Sequence, residues 1–297
     1  MLSFKNTGNL CWFSSALQML LHVPQIANML RHDMFEKMLV QKRKNAHDFS
    51  IELSQIAKVY WSKFEFDNQF DAKSLLDLFT KINRNFAGKK QYDATEAFLA
   101  MLETMETSFV TKPFSTKHPV SFDGCNIDAW KNHIDKTGDT FLSDILLGQT
   151  EQNYNGSVTY EHFTALTLCN CESVDSGIKN YLHEDNVVRK FTRLPMILPI
   201  IFQKTASKEF VHYDTSLTVS DTISDVNYNL FAVLVHSGTE NGGHWNAFTS
   251  HSGKWFLCDD EIVTPIHDIN TIVQKDAMML MYKRDNITPT RTNREFR

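Results

Sequence analysis

Apolar residues recur at three- and four-residue steps through the first third of the chain and give way to short apolar runs afterwards. Ala94, Ala97, Phe98, Met101, Leu102, Met105 and Phe109 fall on one face of a helix of about four turns. Leu75, Leu76, Phe79, Ile82 and Phe86 repeat the pattern, with Asp71 placed to cap its start. A sparser stripe, Ile51, Ile56, Val59 and Tyr60, predicts a helix between Asp48 and Trp61. Beyond Lys112 the texture is β-prone, in segments separated by Gly, Asn, Asp and Ser: Ser157 to Leu168, Met196 to Phe202, Phe231 to Val235, Lys254 to Cys258 and Ala277 to Tyr282. The pattern predicts an α+β fold with a helical part over about 1–112 and a β-rich part over about 113–284. No repeat and no Pro/Gly/Ser linker divides them, so they are expected to form one compact unit with a cleft between two lobes. The polar stretch 285–297 reads as a flexible tail.

Composition narrows the function classes. The 297 residues are 42% hydrophobic and 22% charged, enough for one large core or two modest ones. A net charge of -5 and a pI near 6.2 disfavour a basic grip on nucleic acid or on an anionic membrane. The longest apolar run, Leu194 to Phe202, holds two prolines and is too short to span a bilayer. Leu10 to Val23 follows Lys5 in the manner of a signal peptide, but contains Gln18 and lacks a small-x-small cleavage pattern. Cys11, Cys125, Cys169, Cys171 and Cys258 form an odd, irregular set, which fits free thiols in a reducing compartment, cytoplasmic or nuclear. The sequons at Asn155 and Asn286 are then idle, and Lys42 to Lys44 reads as a solvated charged face.

Two segments carry candidate chemistry. Asn6 to Gln18 runs from turn-forming residues into an apolar helical pattern, so Cys11 falls at a helix N-terminus. Unpaired N–H groups and the dipole there favour a thiolate and can bind an oxyanion, although a cysteine alone is as readily a buried structural one. Val235 to Phe248 runs from an apolar strand through the glycine-rich Gly242-Gly243 to His244. Lys254 to Asp260 follows and ends on paired aspartates. A hairpin turning near His251-Ser252-Gly253 would return Asp259 to the side of His244, where a carboxylate can orient an imidazole. The bland alternative is a surface histidine and an acidic turn.

Together these segments resemble the cysteine and histidine boxes of the ubiquitin-specific protease family, a pattern near G-L-x-N-x-G-N-T-C-Y-M-N-S-x-L-Q followed by G-G-H-Y, G-x-W and D-D. The resemblance extends over almost the whole chain. Gln91-Tyr92-Asp93-Ala94-Thr95-Glu96 resembles the family's Q-Q-D-A-x-E helix start, and Arg193 to Leu198, Tyr228 to Val233 and Ala277 to Arg284 resemble its palm strands. The resemblance implies a papain-like core with a helical thumb, a β-rich palm and β fingers, and a deubiquitinating thiol protease that cleaves at the C-terminal glycine of ubiquitin through a thioester. Its triad would be Cys11, His244 and Asp259. Asn6 would donate to the oxyanion, and Asp260 would polarise that region through a water or buttress the loop. Asp93 and Glu96 would face the arginines near the ubiquitin C-terminus, while Gly242, Gly243 and Trp245 would border the passage for its tail. Leu10, Trp12, Ser14 and Trp245 stand where the family has Thr, Tyr, Asn and Tyr, and Ile201 to Lys204 where it has L-K-R-F; the tryptophans are expected to narrow the passage. Cys169-Asn170-Cys171 does not match the paired C-x-x-C of zinc-bearing members, so neither metal nor cofactor is expected. The expected partners are ubiquitin and its conjugates, met by a monomer. A protease for another ubiquitin-like modifier, a module that only binds ubiquitin and a papain-like acyltransferase are the alternatives.

Overall fold

The structure is a computed structural model that describes residues 2–32, 34–41, 43–62, 69–109, 126–184, 186–203, 209–239 and 242–285. Cys125, Lys42, Lys204, Asn286 and the tail beyond Asp285 lie outside the described residues. The helical part holds β1 (Ser3–Phe4), α1 (Cys11–Leu21), α2 (Pro24–Arg31), α3 (Met34–Lys37), α4 (Lys44–Tyr60), β2 (Gln69–Phe70), α5 (Lys73–Ile82) and α6 (Ala94–Phe109). The second part opens with α7 (Asn126–Thr137), α8 (Phe141–Leu146), β3 (Gly148–Tyr154), β4 (Ser157–Phe163), β5 (Leu166–Cys169), α9 (Val174–Leu182), β6 (His183–Glu184) and β7 (Val187–Arg193). It ends with β8 (Ile197–Gln203), β9 (Ser216–Ser220), β10 (Asp225–Thr239), β11 (Gly242–His251), β12 (Lys254–Asp259), β13 (Ile262–Ile266) and β14 (Ala277–Arg284).

The stripe read for α6 matches its span, and Ala94, Ala97, Phe98, Met101 and Met105 are buried. Asp71 does hold the start of α5, by accepting the Lys73 N–H at 3.0 Å, although Ala72 is the capping position. Two expectations change. The segment read as one strand from Ser157 to Leu168 is two strands, β4 and β5, that belong to different sheets. The part read as β-rich also contains α7, α8 and α9, whose apolar faces are short; α7 buries only Ala129 completely.

The large sheet runs β13-β12-β11-β10-β14-β8-β5, with β9 added to β10; β5 and β8 pair parallel and the other pairs are antiparallel. Its middle strands read as unbroken apolar runs because both faces are covered. In β10, Ala232 and Leu234 enter the core shared with α1 and α6, while Val233 and Val235 enter a second core under α9. Met279 and Met281 against Leu280 and Tyr282 divide β14 in the same way. A separate four-stranded sheet has the order β4-β3-β7-β6 and touches α9 through β6 and β7. The helix carrying Cys11 thus lies against the face of the sheet whose strands carry His244 and Asp259.

Candidate active site

The loop before α1 is wound around Asn6. Its Oδ1 accepts the N–H groups of Gly8 at 2.9 Å and Leu10 at 3.1 Å, with Gly8 at φ +123° and Asn9 at φ +54°. Leu10 occupies the capping position without a side-chain hydrogen bond, so no capping side chain takes the first N–H groups of the helix. Cys11, 2% exposed, begins that helix. Backbone N–H groups of Trp245, Trp12 and Cys11 itself point to its sulfur and favour the thiolate. Burial outweighs them and pushes the thiol up, with the nearby Asp260 adding in the same direction. The donors expected of a helix start are present, but in the free chain desolvation decides the resting state in favour of the neutral thiol.

The β11–β12 hairpin turns at Ser252 and Gly253, both with positive φ, and pairs His251 with Lys254 and Ala247 with Cys258. That register brings Asp259 back to His244, whose Nε2 lies 2.5 Å from Asp259 Oδ1. The carboxylate fixes the proton on Nε2 and leaves Nδ1 as the basic nitrogen. No hydrogen bond joins His244 to the Cys11 thiol among the described residues. Asp260 leaves the strand at φ +48° and points elsewhere. Its Oδ2 accepts the Asn6 side-chain N–H at 2.7 Å, its backbone carbonyl accepts the Phe4 N–H at 3.2 Å, and Glu261 accepts the Asn6 backbone N–H at 3.2 Å. Burial holds the Asp260 carboxyl above the usual carboxylate range, against the pull of Asn6 and His244. The contact between Asp260 and Asn6 is therefore direct, where the sequence left a water or a loop contact open.

His244, Asp259 and Asp260 present ligand atoms within 4.8 Å of one another, the one group of three with metal-like spacing among the described residues. The described cysteines do not gather: Cys169 is exposed and donates to Gln203 Oε1 at 3.1 Å, Cys171 is half-buried, and Cys258 is buried against Thr249.

The remaining sequence candidates separate by environment. Asp93 caps α6, its Oδ1 accepting the N–H groups of Thr95 at 2.6 Å and Glu96 at 3.0 Å, and Glu96 is exposed on the first turn. Gly242 is exposed, and a Cβ at Gly243 would lie 2.4 Å from His236 Nε2 and 2.5 Å from the Ser237 carbonyl oxygen. The two tryptophans do not narrow the cleft by exposing their rings. Trp12 is 1% exposed among Phe13, Phe79, Phe86 and Tyr92, and Trp245 is 4% exposed and stacked on His236 at 4.4 Å. What position 245 offers the cleft is its backbone N–H. The sequence reading passed over Gln91, whose side-chain amide donates to the Gly243 carbonyl at 2.7 Å and accepts the Gly243 N–H at 3.1 Å. Its place in the Q-x-D segment was the available signal.

Residues 2–282 match the family model described as ubiquitin carboxyl-terminal hydrolase. The chain belongs to that family. Among curated relatives, it is 24% identical over 304 residues to probable ubiquitin carboxyl-terminal hydrolase 8 of Schizosaccharomyces pombe, covering 95% of this chain and 65% of that protein. It is 24% identical over 337 residues to ubiquitin carboxyl-terminal hydrolase 2 of Homo sapiens, covering 94% and 54%. The chain thus spans between half and two thirds of the length of these two relatives. Among solved structures, Ubp8 in a SAGA DUB module with Sgf11, Sus1 and Sgf73, bound to ubiquitin aldehyde, superposes with a TM-score of 0.77 at 19% identity, covering 97% of this chain and 70% of that one. The mixed α+β architecture is that of the family's catalytic domain.

Proposed function

We propose that this chain hydrolyses the isopeptide or peptide bond at the C-terminal glycine of ubiquitin, with Cys11 as nucleophile, His244 as base and Asp259 as its orienter. The observation that carries the reading is an imidazole already held by Asp259 through Nε2, on a strand whose next residue directs its N–H at the buried Cys11 sulfur. In the reaction, His244 Nδ1 takes the thiol proton and the sulfur attacks the glycine carbonyl carbon. The oxyanion forms between the Cys11 N–H and the second Nδ2 hydrogen of Asn6, whose first hydrogen is held by Asp260. Collapse expels the amine, which takes the proton from Nδ1. Water, deprotonated at the same nitrogen, then attacks the thioester and releases the carboxylate and the thiol.

Recognition follows the same division. Glu96 and the second oxygen of Asp93 stand at the start of α6 to pair with arginines preceding the tail, while Gly242 and Gly243 border its path. The three surfaces, helical lobe, large sheet and four-stranded sheet, act as thumb, palm and fingers over about 1–284. Catalysis needs Cys11 as a free thiol, which fits a reducing compartment, cytoplasmic or nuclear; no helix among the described residues is long and apolar enough to cross a membrane. The test is covalent labelling by ubiquitin bearing a C-terminal electrophile, beside probes built on SUMO and other ubiquitin-like proteins. The wild-type chain is expected to react with the ubiquitin probe and Cys11→Ala not to. Labelling of Cys11→Ala, or a wild type that reacts only with another modifier, would reject the reading.

A further inference from the structure

β11 has two edges. One pairs with β10, and the other pairs with β12 only from Ala247 onward, so the outward backbone groups of residues 243 and 245 must find other partners. At Trp245 the N–H meets the Cys11 sulfur. At Gly243 both groups meet the Gln91 side chain, donor to carbonyl and carbonyl to N–H, at 2.7 and 3.1 Å. Gly243 lies close to Gly238 across the ladder, where a Cβ on Gly238 would come within 2.5 Å of the Gly243 Cα. That closeness marks a pair that exchanges no hydrogen bonds, which is why the Gly243 groups face away from β10 and into the cleft. A primary amide offering one donor and one acceptor side by side copies a single peptide group of an added strand.

We infer that Gln91 is a removable stand-in for the substrate: its amide occupies the one stretch of β11 edge on which the extended C-terminal tail of ubiquitin pairs, and it must let go before the tail reaches Cys11. The inference rests on the deubiquitinase reading above. From residue 243 to residue 245 is about 7 Å of strand, the length of two extended residues. A tail whose last carbonyl lies at the Cys11 sulfur therefore brings the backbone of a preceding residue alongside Gly243, where strand addition would use the two bonds that Gln91 now makes. Gln91 is exposed and its amide can turn to water, so the clasp is light. It lowers the fraction of chains ready to bind without touching the chemical step, and it favours a tail that supplies both backbone groups over a ligand that cannot.

The experiment compares the wild-type chain with Gln91→Ala and with Gln91→Asn, which is one methylene too short to reach. The measurements are steady-state hydrolysis of a ubiquitin–fluorophore conjugate, labelling by ubiquitin bearing a C-terminal electrophile, and alkylation of Cys11 by iodoacetamide. Both variants are expected to lower KM and to raise kcat/KM and the labelling rate about three- to tenfold, with kcat and iodoacetamide alkylation little changed. A wild type that is labelled while both variants are slower or unchanged overturns this inference alone, and a fall confined to kcat would make Gln91 a support for the His244 loop. A wild type left unlabelled by the ubiquitin probe overturns the deubiquitinase reading and this inference with it.

Discussion

Replacing Asp259 and Asp260 by asparagine, one at a time, separates two carboxylates that adjoin in sequence but face different partners. Asp259 touches the imidazole at 2.5 Å, and Asp260 touches the Asn6 amide at 2.7 Å. Asp259→Asn keeps an oxygen that can accept the Nε2 proton, but it also allows a flipped amide that holds the wrong tautomer, and it removes the charge that supports the imidazolium. Losses from such a change reach about 10⁴ in kcat in a serine-type triad. The half-exposed pair here and the intrinsic reactivity of a thiol bring the expected loss to between about 10² and 10⁴. Asp260→Asn exchanges a charge-assisted hydrogen bond for a neutral one, a difference of about 1 kcal/mol or roughly fivefold in rate. Asparagine also tolerates the left-handed backbone at position 260, so misfolding does not confound the comparison. The thiol adds a test of sign: the Asp260 charge raises the Cys11 pKa, so its removal should increase the thiolate fraction and speed alkylation by iodoacetamide at pH 7. The assays are kcat on a ubiquitin–fluorophore substrate, alkylation rate and thermal melts. A deeper loss of kcat at 260 than at 259, in a variant that melts normally, would refute the assignment of Asp259 as orienter.

Three further outcomes are expected. His22 is wholly buried and its pKa is lowered to about 4, so the unfolded chain binds its proton first as pH falls; stability contributed by the neutral ring is present above 6.5 and declines towards 4. From pH 7 to pH 5 this group alone should cost on the order of 2 kcal/mol, and thermal melts of the wild type and of His22→Asn should show a shallower pH slope in the variant. Micromolar Zn²⁺ should inhibit hydrolysis reversibly, with EDTA restoring the rate, because His244, Asp259 and Asp260 present ligand atoms within 4.8 Å and a bound ion removes the base; undiminished activity in zinc would reject that site. Gly243→Ala would push a methyl group to 2.4 Å from His236 Nε2 and 2.5 Å from the Ser237 carbonyl oxygen. The variant should melt lower by about 1 to 3 kcal/mol and lose kcat through displacement of His244, and normal melts with full activity would show that the hairpin is looser than its register implies.

The sequence disclosed what periodicity and turn chemistry encode. α6 was legible because its buried face repeats without interruption over 16 residues, and the β11–β12 turn because Ser252-Gly253 supplies two positive-φ positions. α7 was not, since it is held by stacked polar rings rather than an apolar stripe: Trp130 lies under the Arg193 guanidinium at 4.0 Å and His133 on His162 at 3.8 Å. Burial that pushes the Cys11 thiol up was equally hidden, because desolvation belongs to the assembled cleft and not to the residue. The clasp between Gln91 and Gly243 joins positions 152 residues apart, so the Q-x-D segment marks Gln91 but cannot name its partner.

The first few residues tie the acidic turn to α1. Gln18 on α1 holds the Leu2 carbonyl at 3.0 Å and is itself held by the Tyr60 hydroxyl at 2.5 Å, β1 zips onto β2, and Phe4 and Asn6 then bond to Asp260 and Glu261. A protease that clipped the chain after Lys5 would leave the proposed triad and the bonds of Asn6 to Asp260 and Glu261 in place, and would release only the strand whose Phe4 N–H holds the Asp260 carbonyl. Trimming at that point would loosen the turn next to Asp259 from one side without chemical damage to the residues around Cys11.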